Sequence, residues 1–157
     1  MQEEIKKALA DAISEVMETM FSLCPEPPGF SGRRSGAEVC AKEVIVHIQT
    51  SDDMPYRILL SLSESLLQRM AGNLFERPGQ GFTREELEDV ACELANILAG
   101  DLLNRVDVTR RRRLSVPEVL TTCVGKLDEW LQCLSEVQGE PFKAYLYCSK
   151  AAHEVAA

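Results

Sequence analysis

The fold is decided by residues 83–104, which read TREELEDVACELANILAGDLLN. Their apolar side chains recur every three or four residues, so they share one side of a helix that turns about 100° per residue. These residues are Leu87, Val90, Ala91, Leu94, Ile97, Leu98 and Leu102. Thr83 is a suitable N-cap, and Glu86 three residues later completes a capping box. The stretch therefore predicts one long amphipathic helix that buries its apolar side in a core.

The opposite side of this helix carries a polar stripe formed by Asp89, Glu93, Asn96 and Gly100. Most such stripes are solvated helix faces, and that interpretation stays open at this point. Asn96 is a poor helix former, because its amide competes for local backbone hydrogen bonds. Gly100 costs about 1 kcal/mol relative to alanine in a helix interior. A helix that accepts both residues on one side is expected to be approached closely there by another molecule.

The spacing Asp89-x3-Glu93-x2-Asn96-x3-Gly100 resembles the signature of the CheC/CheX/FliY phosphatases of bacterial chemotaxis. The order of elements around it resembles a CheX-type member over nearly all of the 157 residues. The resemblance implies a substrate, the phospho-aspartate of a CheY-like response regulator, here called the receiver. It also implies roles for the stripe. Asn96 would orient the attacking water and Glu93 would pair with the receiver's active-site lysine, while Asp89 and Gly100 would support partner binding.

The resemblance further implies which cofactors and partners to expect. Mg²⁺ would be held by the acidic pocket of the receiver, and the chain itself is expected to bind no cofactor or metal. Resemblance to the CheX type also implies a homodimer. Edge strands left by hairpins at either end of the chain could pair two copies. Two alternatives stay open. One is a binding module without catalysis, similar to flagellar switch proteins, and the other is an acidic helical scaffold whose asparagine is incidental.

Length and composition indicate one globular domain of 157 residues, expected in the cytoplasm. The formal net charge of −8 argues against nucleic-acid binding, which favours a basic surface. No apolar run approaches the ~20 residues of a membrane span, and the N-terminus lacks the apolar core of a secretory signal. The six cysteines form no Cys-x-x-Cys pair and have no histidine at a metal-ligand spacing. They are interpreted as reduced, buried thiols.

The remaining patterns predict an α+β fold, in which helices pack on a largely antiparallel sheet. Helices are predicted over 3–23 and 63–76, a loop over 24–36, and strands over 38–49, 55–62, 128–137 and 142–148. The segment 128–137 is equally compatible with a helix, but the Gln138-Gly139 turn after it favours a hairpin. The run Arg110–Arg113 is interpreted as a solvated edge or loop, with a docking surface for an acidic partner as the alternative.

A weak internal repeat links the first helix to the long one. Asp11, Glu15, Glu18 and Ser22 align with Asp89, Glu93, Asn96 and Gly100 in turn. The resemblance implies a duplicated unit with one such helix in each half. The repeat therefore predicts a pseudo-duplicated architecture with the two motif helices side by side. The first copy has a glutamate in place of the asparagine, so it is predicted to be inactive.

Overall fold

The computed structural model describes residues 2–32, 43–51, 56–77, 81–106, 113–121 and 130–148. The helices in these ranges are α1 (Gln2–Phe21), α2 (Glu64–Leu74) and α3 (Arg84–Val106). The strands are β1 (Gly29–Gly32), β2 (Glu43–Gln49), β3 (Tyr56–Ser63), β4 (Glu118–Leu120), β5 (Leu131–Val137) and β6 (Glu140–Cys148). All six pair antiparallel in one sheet, in the order β1-β5-β6-β3-β2-β4. The predicted α+β class is confirmed.

Helix α3 forms as its pattern predicts. The Glu86 amide donates to Thr83 Oγ1 at 3.2 Å, and the Thr83 amide donates to Glu86 Oε1 at 3.1 Å, which is a complete capping box. The predicted apolar side is buried except for Ile97, which is half-buried. Ala95 and Ala99 are fully buried as well, so the buried side is wider than predicted. Helix α3 packs on strands β2 and β3 and also contacts helices α1 and α2.

Helix α1 lies beside α3, as the repeat predicts. It ends at Phe21, two residues earlier than predicted, because Ser22 adopts a positive φ of 53° that a helix cannot continue through. The Leu23 amide then donates to the Met17 carbonyl at 3.0 Å. An ion pair between Glu15 of α1 and Arg105 of α3 also joins the two helices.

Two hairpins are predicted, one from the strands over 38–49 and 55–62 and one from those over 128–137 and 142–148, and both are present. Strand β2 pairs with β3, and β5 pairs with β6. Gln138 and Gly139 both have positive φ, at 52° and 80°, as a two-residue hairpin turn requires. Strand, not helix, is therefore the correct interpretation of the described part of 128–137. Helix α2 is capped by Ser63, whose Oγ accepts from the Leu66 amide at 3.1 Å. Residues 38–42, predicted to begin β2, lie outside the described residues.

Two short strands were not predicted, and they change the edges of the sheet. Strand β1 falls in the predicted loop 24–36, and β4 follows the arginine run. Neither has enough alternating residues to be detected locally, and each is extended because it pairs with a longer strand, β5 or β2. These two strands occupy the sheet edges, so the expectation that the hairpins supply the edge strands is wrong.

The strand order is symmetric about the β3–β6 pair. Exchanging β1 with β4, β2 with β5, and β3 with β6 reproduces the same order read backwards. Helices α1 and α3 precede equivalent sets of strands, so each begins one half of the fold. Helix α2 follows only the first half within the described residues. The duplication that the two motif helices suggest therefore extends to the sheet.

Candidate functional site

The polar stripe lies on the solvent side of α3, opposite the buried leucines. Asp89, Glu93 and Asn96 are exposed and Gly100 is half-buried. Within the part of the chain that the structure describes, these three side chains have no hydrogen-bond or ion-pair partner. Their polar atoms are therefore free to bind groups from another molecule.

Two other acids on the same helix form ion pairs within the chain. Glu88 pairs with Arg84 at 3.3 Å, and Asp101 pairs with Arg105 at 3.3 Å, both at the i, i+4 spacing. Asp89 and Glu93 have this same spacing but like charges, an arrangement that costs about 0.2–0.5 kcal/mol on a helix. The stripe therefore concentrates negative charge that suits a cation supplied from outside.

Asp89, Glu93 and Asn96 of the stripe form one wall of a groove of about 530 Å³. The other wall is the segment that leads into β4. Residues lining the groove are Asp89, Cys92, Glu93, Asn96, Leu114, Ser115, Val116 and Pro117. Carboxylate, amide and apolar groups thus meet in one place, although the two walls are separated in sequence by the end of α3 and the arginine run.

The second wall is held firmly by β2. The Ser115 amide donates to the Gln49 carbonyl at 2.7 Å, and the Gln49 amide donates to Ser115 Oγ at 3.1 Å. The Ser51 amide donates to the Arg113 carbonyl at 2.8 Å. Arg113 itself is exposed, which fits the solvated interpretation at that position, and Arg110–Arg112 lie outside the described residues.

Cys92 is a groove residue that the sequence did not single out. Partial burial, followed by the charges of Asp89 and Glu88, raises the pKa of its thiol. The thiol is thus protonated at neutral pH, and a thiol is a far weaker nucleophile than a thiolate. Covalent catalysis through Cys92 is therefore not favoured. Of the other described cysteines, Cys133 is a buried free thiol as predicted, whereas Cys24 is exposed, contrary to prediction.

Gly100 is not required by packing inside the chain. Apart from the helix's own nearby backbone, a Cβ added there would meet no atom within 4 Å among the described residues. The glycine therefore weakens α3 without relieving any contact that the structure shows.

The corresponding positions on α1 are arranged differently. Glu15, the counterpart of Glu93, is paired with Arg105. Glu18, the counterpart of Asn96, accepts hydrogen bonds from the Ser14 hydroxyl and the Cys24 thiol, each at 3.4 Å. The hydrogen bond and charge of Glu18 raise the pKa of Cys24. Among the described residues, Glu15 and Glu18 are thus engaged within the chain, whereas Glu93 and Asn96 are not.

No group of three or more His, Cys, Asp or Glu side chains among the described residues is placed to hold a metal ion. None of the described helices is both long and apolar enough to cross a membrane.

Comparison with known proteins gives a family match and a set of structural relatives. Residues 44–133 match the family model described as chemotaxis phosphatase CheX. CheX from Desulfovibrio desulfuricans superposes with a TM-score of 0.74 at 13% identity, covering 93% of this chain and 99% of that one. CheX from Vibrio vulnificus gives 0.70 at 16%, covering 93% and 99%. The CheX of a CheX–CheY–BeF3–Mg²⁺ complex from Borrelia burgdorferi gives 0.67 at 17%, covering 92% and 97%. No curated protein sequence matches significantly.

Proposed function

This chain belongs to the CheX family of chemotaxis phosphatases, and from that premise we propose that it accelerates hydrolysis of the phospho-aspartate of a CheY-like receiver. The observation that carries the proposal is the pair Glu93 and Asn96, exposed and without partners among the described residues, on a groove that a second protein can enter. The reaction joins water to phosphorus and releases the receiver's aspartate carboxylate, with phosphate as the other product.

Asn96 orients the water in this proposal. Its side-chain amide both donates and accepts hydrogen bonds, so it can fix the position of a water and the direction of its lone pair. Phosphoryl transfer depends mainly on positioning and charge stabilisation rather than on covalent help from the protein. An aligned water avoids much of the entropy loss on the way to the transition state. The amide is neutral, so this role does not require Asn96 to gain or lose a proton.

Glu93 binds the receiver's lysine, and Asp89 adds to the same negative field. Two opposite charges 4 Å apart attract by about 1 kcal/mol in water and more at a surface that excludes water. The lysine is then held beside the polar stripe, and the receiver is oriented over Asn96. Gly100, one turn further along α3, leaves room for the receiver's backbone.

Mg²⁺ belongs to the receiver in this scheme. The Borrelia complex contains Mg²⁺ and BeF3 together with CheX and CheY. A divalent ion at the receiver's carboxylates would neutralise charge on the phosphoryl oxygens while this chain supplies the amide. The chain contributes water orientation and docking, and the receiver contributes the phosphoryl group and the metal.

The direct test is the decay of a phosphorylated receiver from the same organism, followed with Mg²⁺ in the presence and absence of this protein. Faster release of phosphate with the protein is the expected result. Tight binding to the receiver with an unchanged decay rate would contradict the proposal and support the non-catalytic module. The assay is repeated with each receiver of the organism, because the stripe does not identify one of them.

Gly100→Ala is expected to raise the stability of the protein and to lower its phosphatase activity. The added methyl group removes the helix penalty of glycine and raises the free energy of unfolding by about 1 kcal/mol. The same methyl group obstructs the receiver, so kcat/KM should fall about fivefold or more, as overpacking at a close contact costs about 1–3 kcal/mol. Denaturant unfolding and phosphate release measure the two effects. A variant that is more stable and equally active would show that nothing approaches Gly100 closely.

We also propose a homodimer, on the basis of family resemblance. The short strands β1 and β4 are the sheet edges that a second copy could extend. Sedimentation equilibrium should give the mass of two chains, and a single-chain mass at all concentrations would contradict the dimer without affecting the phosphatase proposal.

A further inference from the structure

Val116 is the most exposed large apolar side chain among the described residues. Its exposed fraction is 81%, compared with 51% for Phe75 and 41% for Leu134. A single exposed apolar residue is ordinary and needs no explanation by itself. Val116 is different because it lines the groove opposite the polar stripe, next to the amide and carboxylates already described.

An irregularity in strand pairing brings Val116 to this position. Leu114 lies opposite Thr50, and Glu118 lies opposite His47. Three residues separate the first pair from the second on this segment, but only two on β2, so one extra residue is inserted as in a β-bulge. Bulges are frequent at sheet edges and beside functional sites, where they redirect a side chain. Pro117 follows directly and has no amide hydrogen to donate, which suits such an interruption of pairing.

The bulge is rigid on its N-terminal side. Ser115 uses both its backbone amide and its hydroxyl to bind Gln49, at 2.7 and 3.1 Å. Pairing of β4 with β2 fixes the chain again from Glu118 onward. The backbone at Val116 is therefore held in place before any partner arrives, so docking there loses little backbone conformational entropy.

We propose that Val116 is a docking contact for the receiver and helps to select it. This inference rests on the proposed function, because the occupant of the groove is the phosphorylated receiver. The two walls have complementary chemistry for one partner surface: Asp89 and Glu93 attract a cation, and Val116 offers an apolar contact beside it. The receiver that fits carries an apolar patch next to its active-site lysine. Val116 takes no part in the chemistry and acts only through binding.

The test compares Val116→Ser with wild type in two measurements on the same receiver. Affinity is measured for the receiver loaded with beryllofluoride and Mg²⁺, where beryllofluoride stands for the phosphoryl group. Turnover is measured by phosphate release. Loss of a buried apolar contact should weaken binding and raise KM about tenfold, with kcat unchanged. Val116→Ile keeps the apolar contact and should retain near-wild-type affinity. Leu134→Ser changes a partly exposed apolar residue outside the groove and, as a control, should leave affinity and turnover unchanged.

The outcomes separate this inference from the phosphatase proposal. Wild-type acceleration with unchanged affinity and KM in Val116→Ser would overturn the docking contact and leave the phosphatase intact. A lower kcat at unchanged affinity would also overturn it, because Val116 would then act on the chemistry. Failure of the wild-type protein to accelerate decay of any receiver would overturn the phosphatase proposal itself, and the docking contact with it. Serine at an 81% exposed position leaves the core untouched, so unfolding does not confuse the result.

Discussion

Asn96→Ala is expected to lower kcat for receiver dephosphorylation by about 100-fold, the scale on which a misplaced reacting group slows a catalysed step. The alanine cannot hydrogen-bond the water, so the water loses its fixed orientation, while Glu93 still binds the receiver. Affinity for the beryllofluoride-loaded receiver should therefore remain near that of wild type. Stopped-flow phosphate release gives kcat, and a binding titration gives the affinity.

Asn104→Ala is the matched control for this experiment. Asn104 is exposed on the same helix, eight residues or about 12 Å beyond Asn96 along the axis, and it does not line the groove. Both substitutions place alanine on the outside of α3, where alanine favours the helix. Their effects on folding should thus be alike, and only Asn96→Ala should slow catalysis. A kcat for Asn96→Ala within twofold of wild type would remove the water-orienting role.

Leu94→Ala should produce the largest loss of stability among the substitutions considered. Leu94 is completely buried on the core side of α3, directly after Glu93 in sequence. Removing a fully buried leucine loses its transfer free energy and leaves a cavity, which together cost about 3–4 kcal/mol. That is a large part of the 5–15 kcal/mol by which a typical domain is stable. Urea unfolding at constant m-value measures the loss.

Leu103→Ala provides the comparison on the same helix. Leu103 is only half-buried, so less apolar surface returns to water and a smaller loss is expected. Where Leu94→Ala is still folded, in cold buffer without denaturant, its kcat should be close to wild type, because the polar stripe is on the other side of the helix. Equal losses of stability from the two substitutions would mean that Leu94 does not anchor α3 to the core.

The sequence predicted those parts of the fold that depend on local patterns. The capping box at Thr83, the apolar side of α3 and the Gln138-Gly139 turn each combine a few neighbouring residues with one physical requirement. The edge strands β1 and β4 were missed because they are extended only through pairing with longer strands. The polar stripe was recognised from its own spacing. Its opposite wall was not, because only tertiary packing places Val116 beside Asn96. The extra residue in the β2–β4 register was also invisible locally, since pairing alone defines a bulge.

The symmetry of the strand order places α1 and α3 at equivalent positions in the two halves of the fold. In α1 the counterpart of Glu93 pairs with Arg105 at the surface, and the counterpart of Asn96 accepts a hydrogen bond from Cys24 just beyond the end of the helix. In the first half of the fold, the positions that correspond to Glu93 and Asn96 thus make contacts within the chain. Building a second unpartnered Glu–Asn pair on α1 would therefore require at least two changes, Glu18→Asn and release of Glu15 from Arg105.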